Sequence, residues 1–371
     1  MKFLLIYVPN LRFNGYTENW QKYRTIELGQ MQRGKSKHRP RDDEKLYGGA
    51  YPFIQTGDIK KANLYIKEYE RTYSNYGLSQ SKLWPKGTLC ITIAANIAET
   101  AILGLNACFP DSVIGWISNE KITNNIFIKY YFDFYKTQLK RLSVGGAQEN
   151  LNLDKLENVY FHIPTLPEQN DITNLLTKID ELIETQIKII GTLLSEINSI
   201  RSLIFNKSSL KWIPLKDIVA EQDIKLKRGK VIPKHKKNLK YIYPVYSSSI
   251  TNSGLMGYSD SYMFNQELIT WSIDGGGNFF YRKKHKFNIT NVSGYMILNE
   301  NLFNYQFIVQ SLIWQHEKLK FDYQTKAHPS VVESLYKIPI MDLEEQHKYA
   351  CLFSNLNEKY ELESVSYTHL R

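Results

Sequence analysis

Cysteine is scarce in this chain: Cys90, Cys108 and Cys351 are the only three among 371 residues. They are scattered, odd in number and form no CxxC pair, which excludes a disulfide framework and a zinc knuckle and fits a reducing cytoplasm. No HExxH or clustered His/Cys set occurs among eight histidines and three cysteines, so no metal is expected on this chain. A Gly-x-Ser-x-Gly elbow is also missing. So is any Asn-Pro-Pro-Tyr or Asp-Pro-Pro-Tyr run, which would grip a flipped adenine. Asp43-Glu44-Lys45 has the end of a nuclease-like acidic pattern, but no partner Asp precedes it. Catalysis by this chain is therefore not expected, and neither is a cofactor. No apolar run approaches the ~18 residues of a membrane span. Met1 to Val8 is apolar but short, and Pro9 follows without a small-residue cleavage site, so it reads as an edge strand or a misplaced start, not a signal peptide.

What is present is a soluble, globular composition, 43% hydrophobic and 23% charged, long enough for two domains with real cores. The net charge of +10 favours a polyanionic partner. The chain is also written twice. Trp20 recurs as Trp212 and Tyr51-Pro52 as Tyr243-Pro244, each 192 residues on. Near the end of each half stands Ile-Pro followed by Glu-Gln: Ile163-Pro164 with Glu168-Gln169, then Ile338-Pro339 with Glu345-Gln346. The period is too long for a solenoid and matches a domain plus a connector.

In the first half, Thr88–Ala94 and Ser112–Ile117 are expected as buried strands, and Asn124 or Asn125 as the cap of a helix reaching Leu139. From 168 to 205, Ile172, Leu176, Ile179, Ile183, Ile187, Ile190, Leu194, Ile197 and Ile204 step mostly by three and four, a heptad-like seam weakened only at Gly191. The second half repeats the plan, with strands at Glu267–Ile273 and Ser293–Leu298, a helix at Leu302–Leu319, and another beginning at Leu343 and continuing through Leu352, Leu356 and Tyr360. That last helix looks short, and its period breaks after Ser364, which suggests an incomplete or artefactual C-terminus.

Gly29-Gln-Met-Gln-Arg-Gly34-Lys35-Ser36 matches the phosphate-binding pattern GxxxxGK[ST]. Pro40 and dense charge follow where a helix should begin, so a nucleotide-binding enzyme stands only as an alternative, beside a non-specific nucleic-acid-binding coiled-coil scaffold. The stretch reads better as a basic loop. Arg33 to Lys45 holds six Lys/Arg against three acids, and Lys225 to Lys240 holds eight and no acid. Arg33-Gly34-Lys35 reappears as Arg228-Gly229-Lys230. Such loops suit phosphates and base edges. Candidate DNA contacts are Arg33, Lys35, Lys37, Arg39 and Arg41, with Lys225, Lys227, Arg228, Lys230 and Lys234 in the second half. Arg282 and Lys283, which follow the loop Asp274–Asn278, are further cationic candidates. Polar candidates are Gln55, Thr56, Ser79 and Gln80 with Lys82, and their counterparts Ser248 and Asn252.

In order and duplication, these motifs resemble the specificity subunits of type I restriction-modification systems. The resemblance rests on Pro9-Asn-Leu-Arg-Phe13 with Trp20 and the run to Leu28-Gly29, on Tyr51–Ile59, on Lys86-Gly87-Thr88 and on Ile163–Gln169, with Leu343-Glu-Glu-Gln346 as the looser second junction. It implies an α+β architecture of two mixed α/β target-recognition domains, at 1–166 and 209–342. Spacer helices at 167–208 and 343–371 would form an antiparallel coiled coil. It implies a non-catalytic reader of a bipartite, asymmetric double-stranded DNA site. Methyltransferase subunits would bind S-adenosylmethionine and methylate adenine, and motor-nuclease subunits would use ATP and magnesium. No membrane is involved.

Overall fold

The computed structural model describes residues 12–143, 151, 153–249, 251–274, 276–319 and 326–370. The apolar start Met1–Val8, the Pro9–Leu11 part of the opening signature, Gly275 and Arg371 lie outside the described residues. The chain divides into two units, Met1–Glu184 and Thr185–Arg371.

The first unit opens with β1 (Gln21–Arg24), α1 (Thr25–Leu28), β2 (Gly29–Arg33) and β3 (Tyr47–Phe53). Then come α2 (Thr56–Lys61), β4 (Tyr65–Ile66), β5 (Arg71–Tyr73) and α3 (Asn75–Ser79). β6 (Leu89–Thr92), β7 (Thr100–Leu103), β8 (Val113–Ser118), α4 (Asn125–Ser143), α5 (Leu153–Glu157) and β9 (Tyr160–Ile163) complete it, and α6 (Leu166–Phe205) leads out. Five strands form one sheet in the order β2-β8-β6-β7-β4. Strands β6 and β8 fall where the sequence predicts buried strands; 89–92 and 113–116 are covered on both faces, whereas Ile117 is 41% exposed. Of the two candidate caps, Asn124 is the one that acts: its side chain accepts the Phe127 N–H at 2.8 Å. Asn125 instead accepts from the Ser118 N–H and hydroxyl, tying the helix to β8.

The second unit repeats this order with β10 (Lys211–Pro214), α7 (Leu215–Ala220), β11 (Ile224–Arg228), β12 (Tyr243–Tyr246) and β13 (Leu255–Ser259). β14 (Phe264–Ser272), β15 (Phe279–Ile289), β16 (Ser293–Leu298), α8 (Tyr305–Lys318), α9 (Pro329–Leu335), β17 (Lys337–Ile340) and α10 (Leu343–Leu370) follow. Its six-stranded sheet runs β11-β16-β14-β15-β12-β13. In both units the first sheet strand, β2 or β11, is an edge strand paired antiparallel to β8 or β16.

The strand register agrees with the repeat. Gln21 stands opposite Ile163, and Ile213, 192 residues after Gln21, stands opposite Ile338. The pairing therefore keeps Ile163 and Ile338 as counterparts. Trp20 and Trp212 accordingly each pack against the core of their own unit.

The Glu-Gln repeat has a physical cause. Gln169 is fully buried; its amide donates to the Ile122 and Pro164 carbonyls at 2.8 and 2.9 Å and its oxygen accepts from the Thr123 hydroxyl at 2.7 Å. Gln346, equally buried, donates to the Leu302 and Met341 carbonyls at 2.9 and 2.9 Å and accepts the Asn304 N–H at 2.9 Å. Each glutamine thus latches the start of one helix (α4 or α8) to the start of a longer one (α6 or α10). In the first unit Arg12, from the opening signature, adds a two-pronged ion pair to buried Glu168, at 2.8 and 2.6 Å.

Helix α6 has 40 residues, about 60 Å at 1.5 Å per residue. Its second half packs antiparallel to α10 within the second unit: Lys207 reaches Tyr349 at one end and Gln186 reaches Glu363 at the other. The seam differs from the expected one. Ile187 and Leu194 are 48% and 41% exposed. The buried positions are Gln186, Leu193, Ile197, Arg201, Ile204 and Phe205, so the stripe runs one residue earlier than expected at 186 and 193. On α10 the residues turned to the core of this unit are Ala350, Phe353, Leu356 and Tyr360, with Leu352 outside, and the helix continues past Ser364 to Leu370.

Half-buried His316, on α8, has its Nδ1 2.7 Å from the Tyr336 hydroxyl. Burial lowers its pKa from 6.5, opposed by the Gly276 carbonyl and Glu317. The folded state favours the neutral ring, so its contribution to stability is full above the ordinary value of 6.5 and falls as the pH drops through the folded value. Melting is expected to weaken between about pH 7.5 and about pH 5, and His316→Gln to remove part of that slope. An identical slope in the variant would assign the acid sensitivity elsewhere.

Candidate nucleic-acid interface

Arg33-Gly34-Lys35 and Arg228-Gly229-Lys230 occupy the same place in the two units. Arg33 ends β2 opposite Ile114, and Arg228 ends β11 opposite Gly294. The next two N–H groups then bond across the turn. Gly34 donates to Val113 and Lys35 to Phe109; Gly229 donates to Ser293 and Lys230 to Ile289, at 2.8 to 3.1 Å. Glycine is required in both. A Cβ on Gly34 would stand 2.3 and 2.4 Å from the Pro110 and Phe109 carbonyl oxygens, and on Gly229 2.3 and 2.4 Å from those of Thr290 and Ile289. No flexible side chain is there to yield. This geometry displaces the nucleotide-site reading of Gly29–Ser36. Residues 29 to 33 are edge strand instead of a phosphate-cradling loop, and no helix begins at Ser36.

In the first unit the basic loop gathers the polar candidates around it. The Lys37 N–H donates to the Gln80 carbonyl, and the Ser81 hydroxyl to the Lys35 carbonyl. Gln55 and Thr56 line one cleft with Ser36, Arg41 and Ser112. Several candidates are already engaged. Arg41 donates to both oxygens of Asp111, at 2.8 and 2.9 Å. Arg39 donates to the Ser36 and His38 carbonyls. Lys82 bonds Gln32 and sits 3.7 Å over the Trp84 ring, and Ser79 bonds the Tyr76 carbonyl. Arg33, Lys35 and Lys37 are exposed and have no side-chain partner among the described residues.

In the second unit Lys225 and Lys227 project from the exposed face of β11, while Ile224 and Leu226 turn into the core. Lysines on an edge strand also discourage pairing with another chain. Lys230 and Lys234 are exposed on the loop beyond it. Arg228 keeps its exposure while its Nε donates to the Asn291 carbonyl. Ser248 and Asn252 lie on the neighbouring loop: the Ser248 carbonyl accepts the Ser272 hydroxyl, and Asn252 has a positive φ of 49°.

One candidate, Arg282, is corrected. Arg282 is 5% exposed; its guanidinium donates to Thr270 and to the Ser253 carbonyl and stacks 3.8 Å over the Tyr246 ring. Burial pushes its pKa down to about 10. It holds the loop at Asn252 from inside and does not face a ligand. Lys283, on the opposite face of β15, pairs with Glu358 of α10 at 2.8 Å. Their run of charge is the same in the sequence as that of the surface lysines, and only the strand's alternation separates them. Sequence reasoning also passed over Val231 and Leu239, which are 81% and 102% exposed on the all-cationic loop. Aliphatic residues inside an acid-free basic run were the available signal, since such groups can meet a thymine methyl.

The comparisons with known proteins agree with this duplicated frame. The family model for the type I restriction modification DNA specificity domain matches twice, over residues 17–193 and 211–368. A putative type I restriction enzyme specificity subunit of Methanocaldococcus jannaschii is 27% identical over 174 residues, 46% of this chain and 39% of that protein. A putative type I specificity subunit of Mycoplasma pneumoniae is 34% identical over 115 residues, 29% of this chain and 36% of that one. The matched regions thus span well under half of these curated relatives. Among solved structures, the type I restriction-modification S subunit from M. genitalium superposes with a TM-score of 0.70 over 98% of this chain and 96% of that one at 17% identity, a likeness of fold. With both of its units matched by one family model, the chain belongs to the type I restriction modification DNA specificity domain family.

Proposed function

We propose that this protein is the non-catalytic, sequence-reading subunit of a type I restriction-modification complex, each unit reading one half of a bipartite, asymmetric DNA site. The observation that carries this is a frame repeated almost bond for bond, bearing exposed cations at its rim, with loops between the repeated points that differ in length and sequence. A shared frame suits shared partners, and unlike loops suit unlike half-sites. The antiparallel pair of α6 and α10 is suited to setting the unspecified spacing. The chemistry is assigned to partners: methyltransferase subunits carrying S-adenosylmethionine, and motor-nuclease subunits using ATP and magnesium. Among the described residues no helix is long and apolar enough to cross a membrane.

The test is to produce the chain together with its modification subunit in a host lacking adenine methylation and to map N6-methyladenine by long-read sequencing. A two-part, non-palindromic motif separated by unspecified bases is the expected result. A palindromic motif, or no methylation from an assembled complex, would refute the proposal.

A further inference from the structure

The repeated Arg-Gly-Lys posts separate two kinds of DNA contact. In an asymmetric bipartite site the bases of the two halves differ, while the sugar-phosphate backbone is the same in both. A side chain repeated in type and held by a repeated backbone geometry therefore fits the feature that repeats. Base edges have to be read by the parts that do not repeat.

We propose that Arg33 and Lys35 in the first unit, and Arg228 and Lys230 in the second, are matched phosphate anchors that fix each unit on its half-site without reading sequence. This rests on the reading given under Proposed function and deepens it.

Four observations converge. Each post makes two cross-turn hydrogen bonds, to carbonyls at equivalent positions in the two units. Each has a glycine whose Cβ would strike two backbone oxygens, so the flanking cations are held on rigid chain. Arg33 and Arg228 both end an edge strand on its core-facing register, following Met31 and Leu226, and both emerge exposed. Beyond the posts the likeness stops. Ser36-Lys37-His38-Arg39-Pro40 follows the first and Val231-Ile232-Pro233-Lys234-His235 the second. A base-reading arginine needs its guanidinium fork for paired bonds to guanine, whereas a phosphate accepts any well-placed cation.

That difference sets the experiment. The complex of this chain with its modification subunit is tested on DNA carrying the motif and on a pool randomised through both half-sites. Arg33→Gln with Lys35→Gln, and separately Arg228→Gln with Lys230→Gln, should weaken binding roughly tenfold and flatten the slope of log affinity against log salt by about one to two. The preferred base at every position should stay unchanged. Arg33→Lys and Arg228→Lys should restore affinity to within about threefold. One neutral methylphosphonate, scanned along each half-site, should weaken the wild type at the anchored position and have little effect there in the matching Gln variant. All four residues are exposed, so unaltered melting is expected and checks that the variants fold.

A relaxed base preference in any of these variants, an unchanged salt slope, or failure of the Lys variants to rescue would overturn the anchors while leaving sequence-specific binding by the wild type intact. If the wild-type complex showed no sequence preference at all, the reading beneath the proposal would fall and the anchors with it.

Discussion

Gln346→Ala is expected to destabilise the second unit by about 3 kcal/mol, and Gln169→Ala the first by a similar amount. Each side chain is fully buried and makes three hydrogen bonds that are buried or part-buried. Truncation leaves two carbonyls without their amide donor and one donor without its acceptor, and each orphaned buried group costs about 1–3 kcal/mol. The loss is set by those orphans more than by missing side-chain area, which makes a sharper comparison possible. Gln346→Glu keeps the shape but turns an amide that donates twice into a carboxylate facing two carbonyl oxygens. It should be worse than alanine at neutral pH and recover as the pH falls towards protonation. Urea denaturation of the three proteins at two pH values checks this. A loss below about 1 kcal/mol for alanine, or a glutamate variant as stable as wild type, would show that the latch is not structural.

The second large effect is steric. Gly34→Val or Gly229→Val is expected to cost more than about 3 kcal/mol, or to prevent accumulation of folded protein. The obstacle is two backbone oxygens at 2.3 to 2.4 Å from the new Cβ, belonging to chain already committed to the sheet. Gly57→Ala provides the contrast: nothing lies within 4 Å of a Cβ there, and it should change stability by less than about 1 kcal/mol. Melting temperatures of the set decide the matter. A Gly229→Val protein as stable as Gly57→Ala would mean that the turn can open, and that the cations beside it are not held rigidly.

Much of the architecture is legible in the sequence because it rests on local patterns that packing reinforces. Strands at 88–94, 112–117 and 293–298 are apolar runs between turn residues, and their burial follows directly. The long helix at 168–205 is legible from its spacing, but its seam is not. Ile187 and Leu194 fit the expected stripe, yet the stripe that faces α10 begins at Gln186, and glutamine carries no apolar signal. The repeat was visible as Trp, Tyr-Pro and Glu-Gln, and the strand pairing keeps Ile163 and Ile338 as counterparts. At the interface, charge alone identified the two loops. It could not distinguish Arg282, which is turned inward onto Tyr246, from Lys230, which is not. That distinction depends on which face of a strand a residue occupies and on what lies beneath it, information held in residues distant along the chain.

The paired posts also bear on how a new recognition loop is accommodated. The segment between the first post and its cross-turn partner runs from Lys35 to Phe109, and in the second unit from Lys230 to Ile289. The two spans differ by fifteen residues, yet they close on the same hydrogen bonds. For a flexible chain the entropy of closure grows only with the logarithm of length, so this difference amounts to about 0.2 kcal/mol. Lengthening or rewriting the intervening chain thus perturbs the closure free energy by less than thermal energy, about 0.6 kcal/mol. Its main thermodynamic consequence is confined to whatever core the insert must build for itself.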